Sequence, residues 1–186
     1  MNLATKDIVL RPATEGDLSI MHEWRNSDSY RSLFANRRNL VSFDEFRVEY
    51  KKEKDGQRHV QFIVVLKRIG RPIGLTYSYG ASMNDGFVFF GTYIDDQFQS
   101  KGYGAKASIL MIGHLFDTYP IQKVCVDVFS YNLPSISGCE NLGFTKEGEF
   151  VRQRFYYGKY WNVVRMALFR DNLDRLLTLQ KRITNQ

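Results

Sequence analysis

Between an aromatic, strand-like run from Phe87 to Ile94 and an apolar, helix-like run from Ala105 to Tyr119 stands Gln99-Ser100-Lys101-Gly102-Tyr103-Gly104-Ala105. No other stretch restricts the fold as strongly. Two glycines at the mouth of a helix allow a tight turn, and the first helical N–H groups have no acceptor within the helix. The helix dipole adds positive potential at the same point, so the turn is suited to an anion. Each N–H given to a charged oxygen contributes about 1.5–3 kcal/mol, so four or five converging donors would hold a pyrophosphate. A nicotinamide-type fingerprint would need a third glycine where Ala107 stands, near the chain start rather than in mid-chain. A Walker-type loop would end in Gly-Lys-Ser/Thr, which is absent.

Periodicity around this turn places the remaining elements. Ile8-Val9-Leu10-Arg11 reads as a strand stopped by Pro12. A helix is expected from Thr14, with Asp17 as its capping partner and Leu18, Met21 and Trp24 along one face. Ser42-Phe43-Asp44-Glu45 opens a second helix, with Phe43, Phe46 and Tyr50 at helical spacing, running into Lys54-Asp55-Gly56. Val60 to Lys67, Ile73 to Tyr79 and Phe87 to Ile94 read as consecutive strands joined by glycine turns. Val124 to Phe129 is a further strand. Asn132-Leu133-Pro134-Ser135 starts a short helix that stops at Gly143. Glu149 to Tyr156 and Tyr160 to Phe169 form a hairpin, and Leu173, Leu176, Leu177 and Gln180 mark a closing helix from Asp171. The expected fold class is α/β (α+β): one mixed, mostly antiparallel sheet of about seven strands flanked by helices. Neither repeats nor linkers interrupt the 186 residues, so residues 1–186 are expected to form a single domain, with 7–170 as core and 171–186 as its C-terminal helix.

Composition limits the function classes. The chain is 44% hydrophobic and 25% charged, as expected of a globular domain with a sizeable core. Its apolar runs are far short of a membrane span. Its two cysteines, Cys125 and Cys139, have no metal-ligand spacing, and His22, His59 and His114 are scattered singly, so no metal is expected. A reduced, cytoplasmic setting fits this cysteine usage. Residues 146–186 carry nine basic against four acidic side chains, holding most of the net charge of +6. That excess is either a solvated surface or an attraction for a polyphosphate; no motif supports nucleic acid.

The wider run Gly91-Thr92-Tyr93-Ile94-Asp95-Asp96-Gln97-Phe98-Gln99-Ser100-Lys101-Gly102-Tyr103-Gly104-Ala105 resembles the acetyl-CoA motif of GNAT N-acetyltransferases, whose core is Gln/Arg-x-x-Gly-x-Gly/Ala. Asn132-Leu133-Pro134-Ser135-Ile136 and Glu140-Asn141-Leu142-Gly143-Phe144 resemble the second signature of that superfamily. The strand pair around Tyr157-Gly158-Lys159-Tyr160 is similar to the branch holding ribosomal-protein N-terminal (alanine/serine) acetyltransferases and related small-amine acetyltransferases. The likeness spans roughly residues 7–170. It implies acetyl-CoA as co-substrate, with the amides of Gln99, Ser100, Lys101, Gly102, Tyr103, Gly104 and Ala105 on the pyrophosphate. The strand edge at Tyr93, Ile94 and Asp95 would pair with the pantetheine arm. Asn132 and Ser135 would contact the pantetheine or adenosine side, although Asn132 also reads simply as a helix cap.

Acetyl transfer to an amine needs a neutral nucleophile, a polarised thioester carbonyl and a departing thiolate, which an acid can help. Where many relatives have a tyrosine for that acid, this chain has Cys139. Its thiol is either the proton donor or a small buried filler. Tyr131, Ser135 or water are alternatives. Trp24-Arg25-Asn26 is similar to a segment lining the acceptor cleft of enzymes acting on small amines, and reads equally as core plus surface. Phe34, Tyr77, Tyr79, Phe89, Phe90, Phe155, Tyr156 and Tyr157 either wall an acceptor pocket or pack the sheet. The expected acceptor is a small primary amine (amino sugar, amino acid, polyamine or aminated natural product), with a protein N-terminus or a non-catalytic acyl-CoA module as alternatives. The chain is expected to be a monomer or homodimer.

Overall fold

The structure, a computed structural model, describes residues 3–33, 38–56 and 58–185. Phe34 lies outside the described residues, as does the side chain of His59. Strands β1 (Ile8–Pro12), β2 (Arg58–Leu66), β3 (Arg71–Ser82), β4 (Phe87–Ile94), β5 (Lys123–Phe129), β6 (Thr145–Tyr156) and β7 (Lys159–Phe169) form one sheet in the order β1-β2-β3-β4-β5-β7-β6. β1 to β4 are an antiparallel meander, β4 and β5 run parallel, and β5-β7-β6 is again antiparallel. The expected mixed, mostly antiparallel seven-stranded sheet is therefore present. Its one parallel pairing requires a crossover, which α4 (Tyr103–Thr118) supplies.

The sheet has a core on each face because its strands alternate. Val88, Phe90 and Ile94 of β4 join Ile109, Leu110 and Ile112 of α4, with α5 (Leu133–Leu142) and α6 (Asp174–Asn185) adding Leu142 and Leu176. On the other face Ile63, Leu75 and Tyr93 pack against Leu18, Met21 and Trp24 of α1 (Leu18–Asn26), Tyr30 of α2 (Asp28–Leu33) and Phe46 of α3 (Phe43–Gly56). Burying one such aliphatic or aromatic side chain contributes about 1.5–3 kcal/mol.

Two boundaries differ from expectation, each for a local reason. The segment after Thr14 is not one helix. It is a single 3-10 turn, then α1, then α2, with a break at extended Ser27 (ψ 151°). The Ser27 hydroxyl donates to the Trp24 carbonyl (2.8 Å) and accepts from the Tyr30 N–H (3.2 Å), which ends one helix and caps the next. β6 begins at Thr145 rather than Glu149, because Gly143 (φ 99°) stops α5 and Phe144 N–H closes back on the Cys139 carbonyl. No helix among the described residues is long and apolar enough to cross a membrane.

Asp17 fastens β1 to α1. Its carboxylate takes both Arg11 guanidinium nitrogens at 2.7 Å and the backbone and hydroxyl of Thr14 at 2.7 and 2.8 Å, while only 4% exposed. The Arg11 hydrogen bond, before all else, lowers its pKa from 3.8 to about 2. A carboxyl whose folded pKa is depressed contributes stability that is present above its unfolded pKa and is lost as pH falls through the folded one. Asp17→Asn is therefore expected to cost about 2 kcal/mol at neutral pH, and to flatten the stability loss of the wild type between pH 4 and pH 2. Urea melts of both proteins across that range check it.

Candidate active site

The glycine turn is built by unusual backbone. Ser100 (φ 60°) and Gly102 (φ 78°) both lie in the left-handed region, one residue apart, at the N-terminus of α4. Alternation of that kind turns successive N–H groups to one side and makes a concave anion site. Among the described residues, the N–H groups of Ser100, Lys101, Gly102, Tyr103, Gly104 and Ala105 donate to no acceptor of the protein. The first intrahelical bond at this end is Lys106 N–H to the Gly102 carbonyl, 3.1 Å. Gln99 differs from its neighbours: its N–H leans on the Asp96 carbonyl at 3.4 Å, and its side-chain amide donates to the Ile94 carbonyl (2.9 Å) and Asp96 Oδ1 (2.7 Å). Gln99 braces the turn, and beyond it the amides of Gly102 to Ala105, the first of α4, project from the helix end. Lys101 adds its ammonium nearby, donating to the Gln97 carbonyl at 3.0 Å.

Beside this turn the sheet opens. β4 and β5 pair only over Phe87–Phe89 and Lys123–Cys125, after which β5 continues along β7 to Phe129. The backbone of β4 past Phe89 alternates. Asp95 N–H goes to the Ile73 carbonyl (2.9 Å), and the Gly91 carbonyl accepts from Thr76 on β3 (3.1 Å). Odd-numbered groups thus face β3, and the N–H groups of Thr92 and Ile94 face the split. Of Tyr93, Ile94 and Asp95, only Ile94 turns its backbone toward the split; its N–H is left for an arm lying there, while its carbonyl accepts from the Gln99 amide. Thr92 joins it, a residue the motif did not single out. Tyr93 instead packs beneath α2, its hydroxyl 3.1 Å from Ser27 Oγ and 3.4 Å from Ser29 Oγ. The Asp95 carboxylate accepts from Gln97 N–H and Trp24 Nε1, both at 3.0 Å.

Across the split, Asn132 caps α5: its side-chain carbonyl accepts from Ser135 N–H at 3.3 Å. Cys139 sits on α5, packed against the core of the α4 face. Burial, with a smaller contribution from Glu140, pushes its thiol up to about 12. A thiol held that high cannot readily protonate a departing thiolate whose own acid form sits near 8.5. Of the two readings of Cys139, proton donor or small filler, its half-buried place against the core and its raised pKa favour the filler. Cys139→Ala is expected to keep kcat within about threefold of wild type, measured by thiol release.

The polar side-chain atoms of Trp24, Arg25 and Asn26 are engaged within the protein. Trp24 is buried and holds Asp95. Arg25, also buried, pairs with Glu49 (3.1 Å) and reaches the Asn39 carbonyl (3.3 Å). Asn26 makes two bonds to the backbone of Val41 (2.9 and 3.0 Å), and His22 Nε2 lies 2.8 Å from the same carbonyl. These contacts tether the segment after α2. His114 leans edge-on against Phe62, with a pKa lowered chiefly by burial.

Two groupings escaped the sequence reading. α2 roofs the open end of the split: the Tyr131 hydroxyl donates to the Ser32 carbonyl (2.6 Å), and Arg154 donates to the Arg31 and Ser32 carbonyls (3.3 and 3.2 Å). Below it, Asp127 and Arg165 form a bidentate pair at 2.8 and 2.7 Å. A charge inside Val124-Cys125-Val126-Asp127-Val128-Phe129 was the available signal.

Comparison with known proteins agrees with this geometry. Residues 7–145 match the family model described as acetyltransferase (GNAT) domain. The chain is 26% identical over 162 residues to spermidine N(1)-acetyltransferase of Escherichia coli (strain K12), covering 87% of this chain and 86% of that protein. The corresponding Vibrio cholerae protein is 25% identical over 166 residues, covering 88% and 94%. The crystal structure of spermidine N-acetyltransferase from Vibrio cholerae in complex with CoA and spermine superposes with a TM-score of 0.82 at 24% identity, over 89% of this chain and 97% of that one. A strand–turn–helix with outward amides, a parted β4–β5 pair and a family match over three-quarters of its length place this chain in the GNAT acetyltransferase family.

Proposed function

We propose that this protein transfers the acetyl group of acetyl-CoA to a primary amine of a small polyamine of the spermidine type. The single observation that carries the reading is the run of N–H groups at the N-terminus of α4 without a protein acceptor, beside the β4–β5 split. Diphosphate oxygens would accept from these amides. The pantetheine arm would run along Thr92 and Ile94, bringing the thioester to the point where the strands part. A strand N–H there polarises the carbonyl as it becomes tetrahedral. The amine nitrogen, having lost its ammonium proton to solvent, forms the C–N bond; the C–S bond breaks, sulfur leaves as thiolate, and the nitrogen gives up its second proton to that thiolate or to solvent. Both reactants held at one place supply much of the rate. Asn132 and Ser135 would line the arm from α5.

The choice of a polyamine follows the two relatives named above, each a spermidine N(1)-acetyltransferase aligned over most of its length. A Vibrio cholerae spermidine N-acetyltransferase has been solved as a dodecamer, so an assembly larger than the expected monomer or dimer belongs to this proposal and light scattering reads it. Titration calorimetry with acetyl-CoA, followed by thiol release with spermidine, spermine, amino sugars and an alanine- or serine-starting peptide, tests the function. Saturable acetyl-CoA binding and turnover with spermidine are expected. Absence of acetyl-CoA binding at hundreds of micromolar would end the proposal; turnover with the peptide alone would move the acceptor to a protein N-terminus.

A further inference from the structure

The α4 face of the split is closed by packing: Phe90 and Ile94 point into that core, and Thr92 Oγ1 accepts from Ser108 of α4 at 3.0 Å. An amine therefore reaches the thioester from the opposite face, beyond the edge of α1 and α3. What lines that face follows from strand register. Tyr79, Phe89, Cys125 and Ala167 are successive partners across β3, β4, β5 and β7, so their side chains share this face. Two residues further along each strand come Tyr77, Gly91, Asp127 and Arg165. Had the β4–β5 pairing continued in register, Gly91 would face Asp127. The strands have parted there, so the two residues flank the split.

The side chains at this place are specific in kind. Tyr77 lies flat against Gly91: a Cβ on Gly91 would meet Tyr77 Cζ at 3.2 Å and Oη at 3.3 Å. The glycine thus lets a phenol sit at the rim of the split. Tyr79 and Phe89 stack with ring centres 5.5 Å apart. The Tyr79 hydroxyl is pushed up to about 12, by burial first and by the Asp127 carboxylate second, so it stays a neutral phenol beside that carboxylate. The Arg165 guanidinium lies over both Phe89 (4.7 Å) and Phe150 (4.9 Å) and holds Asp127 by Nε and Nη2. Asp127 keeps 29% of its side-chain surface exposed. A bidentate pair engages one lone pair on each carboxylate oxygen, and the others remain able to accept. Aromatic faces and a fixed carboxylate are the groups that recognise an ammonium.

We infer that Asp127, fixed by Arg165, receives the cationic amine of the acceptor beside the thioester, with Tyr77, Tyr79 and Phe89 as its walls. The inference rests on the acetyl-transfer reading for the position of the thioester, and it makes Asp127 the specificity-determining residue of the acceptor side. Arg165 acts through Asp127 and is a positioning residue.

The test uses the full chain saturated with CoA, with spermidine as the probe in titration calorimetry. Asp127→Asn preserves shape and removes the charge. The expected result is a spermidine Kd at least tenfold higher, a CoA Kd within twofold of wild type, and a loss of kcat/KM that falls mainly on KM. Asp127→Glu should recover part of the affinity. A purely structural ion pair makes a different prediction for the double variant Asp127→Asn/Arg165→Gln, which is neutral like the native pair: it would bind spermidine normally. The inference expects the double variant to bind as poorly as Asp127→Asn, and it remains readable if the single variant folds badly. Spermidine binding within twofold of wild type in Asp127→Asn, or restored in the double variant, overturns it. So does a wild type that binds CoA but not spermidine, an outcome distinct from failure to bind CoA, which would sink the acetyl-transfer reading itself.

Discussion

Gly102→Val is expected to weaken acetyl-CoA binding about 100-fold, a loss of about 2.7 kcal/mol, while the fold survives. Gly102 has φ 78°, and a Cβ placed on it would meet nothing within 4 Å. The protein therefore tolerates the extra atoms sterically but not the dihedral. A residue with a Cβ in the left-handed region carries about 1–2 kcal/mol of strain, more when branched. The relief available is rotation of this peptide, which re-aims the N–H groups of Gly102 and Tyr103 out of the concave array. Each lost donor to a charged oxygen costs about 1.5–3 kcal/mol. Calorimetry with acetyl-CoA and a thermal melt on the same sample separate the two effects. A variant that binds within threefold of wild type would show that the array is not the cofactor site.

Gly74→Ala should act through the opposite mechanism and strike stability first, by about 3 kcal/mol or more. A Cβ on Gly74 would lie 2.2 Å from the Tyr93 carbonyl oxygen and 3.0 Å from Ile94 Cα. Both neighbours are backbone of β4, so no side-chain rotation relieves the clash. Gly74 pairs with Ile94 in the ladder, beside the register shift of β2 at Val64/Val65. Relief requires β4 to move off β3 at the same residues whose far edge would carry the pantetheine arm. A large fall in melting temperature is therefore expected, together with weakened acetyl-CoA binding in whatever fraction folds. An unchanged melt would mean that the β3–β4 contact is looser than this spacing implies.

How the chain could be read depended on the range of each interaction. The α4 turn was legible because its components are contiguous: Ser100 and Gly102 act through their own backbone dihedrals and the helix that begins beside them. The cap of Asn132 on Ser135 and the stop at Gly143 are equally local. The break at Ser27 was missed, because a serine within a helical pattern reads as surface until its hydroxyl is seen between Trp24 and Tyr30. Cys139 was left open between proton donor and filler for a different reason. Alignment to a motif gives a position, whereas proton affinity depends on what packs around it. Trp24, Arg25 and Asn26 have their polar atoms engaged with Asp95, Glu49, Asn39 and Val41, partners between 14 and 71 residues away that the sequence pattern does not reveal.

By itself the sequence determined the order of strands and helices, the two faces of the sheet and the glycine turn at the mouth of α4, because these follow from hydrophobic period, glycine dihedrals and helix termini acting within a few residues. Tertiary structure alone decided where β4 and β5 separate, which N–H groups of β4 turn outward, that Cys139 packs half-buried against the core, and that Asp127 meets Arg165 beside Tyr79. These depend on register between strands distant in the chain, and a one-residue slip would turn each side chain to the other face.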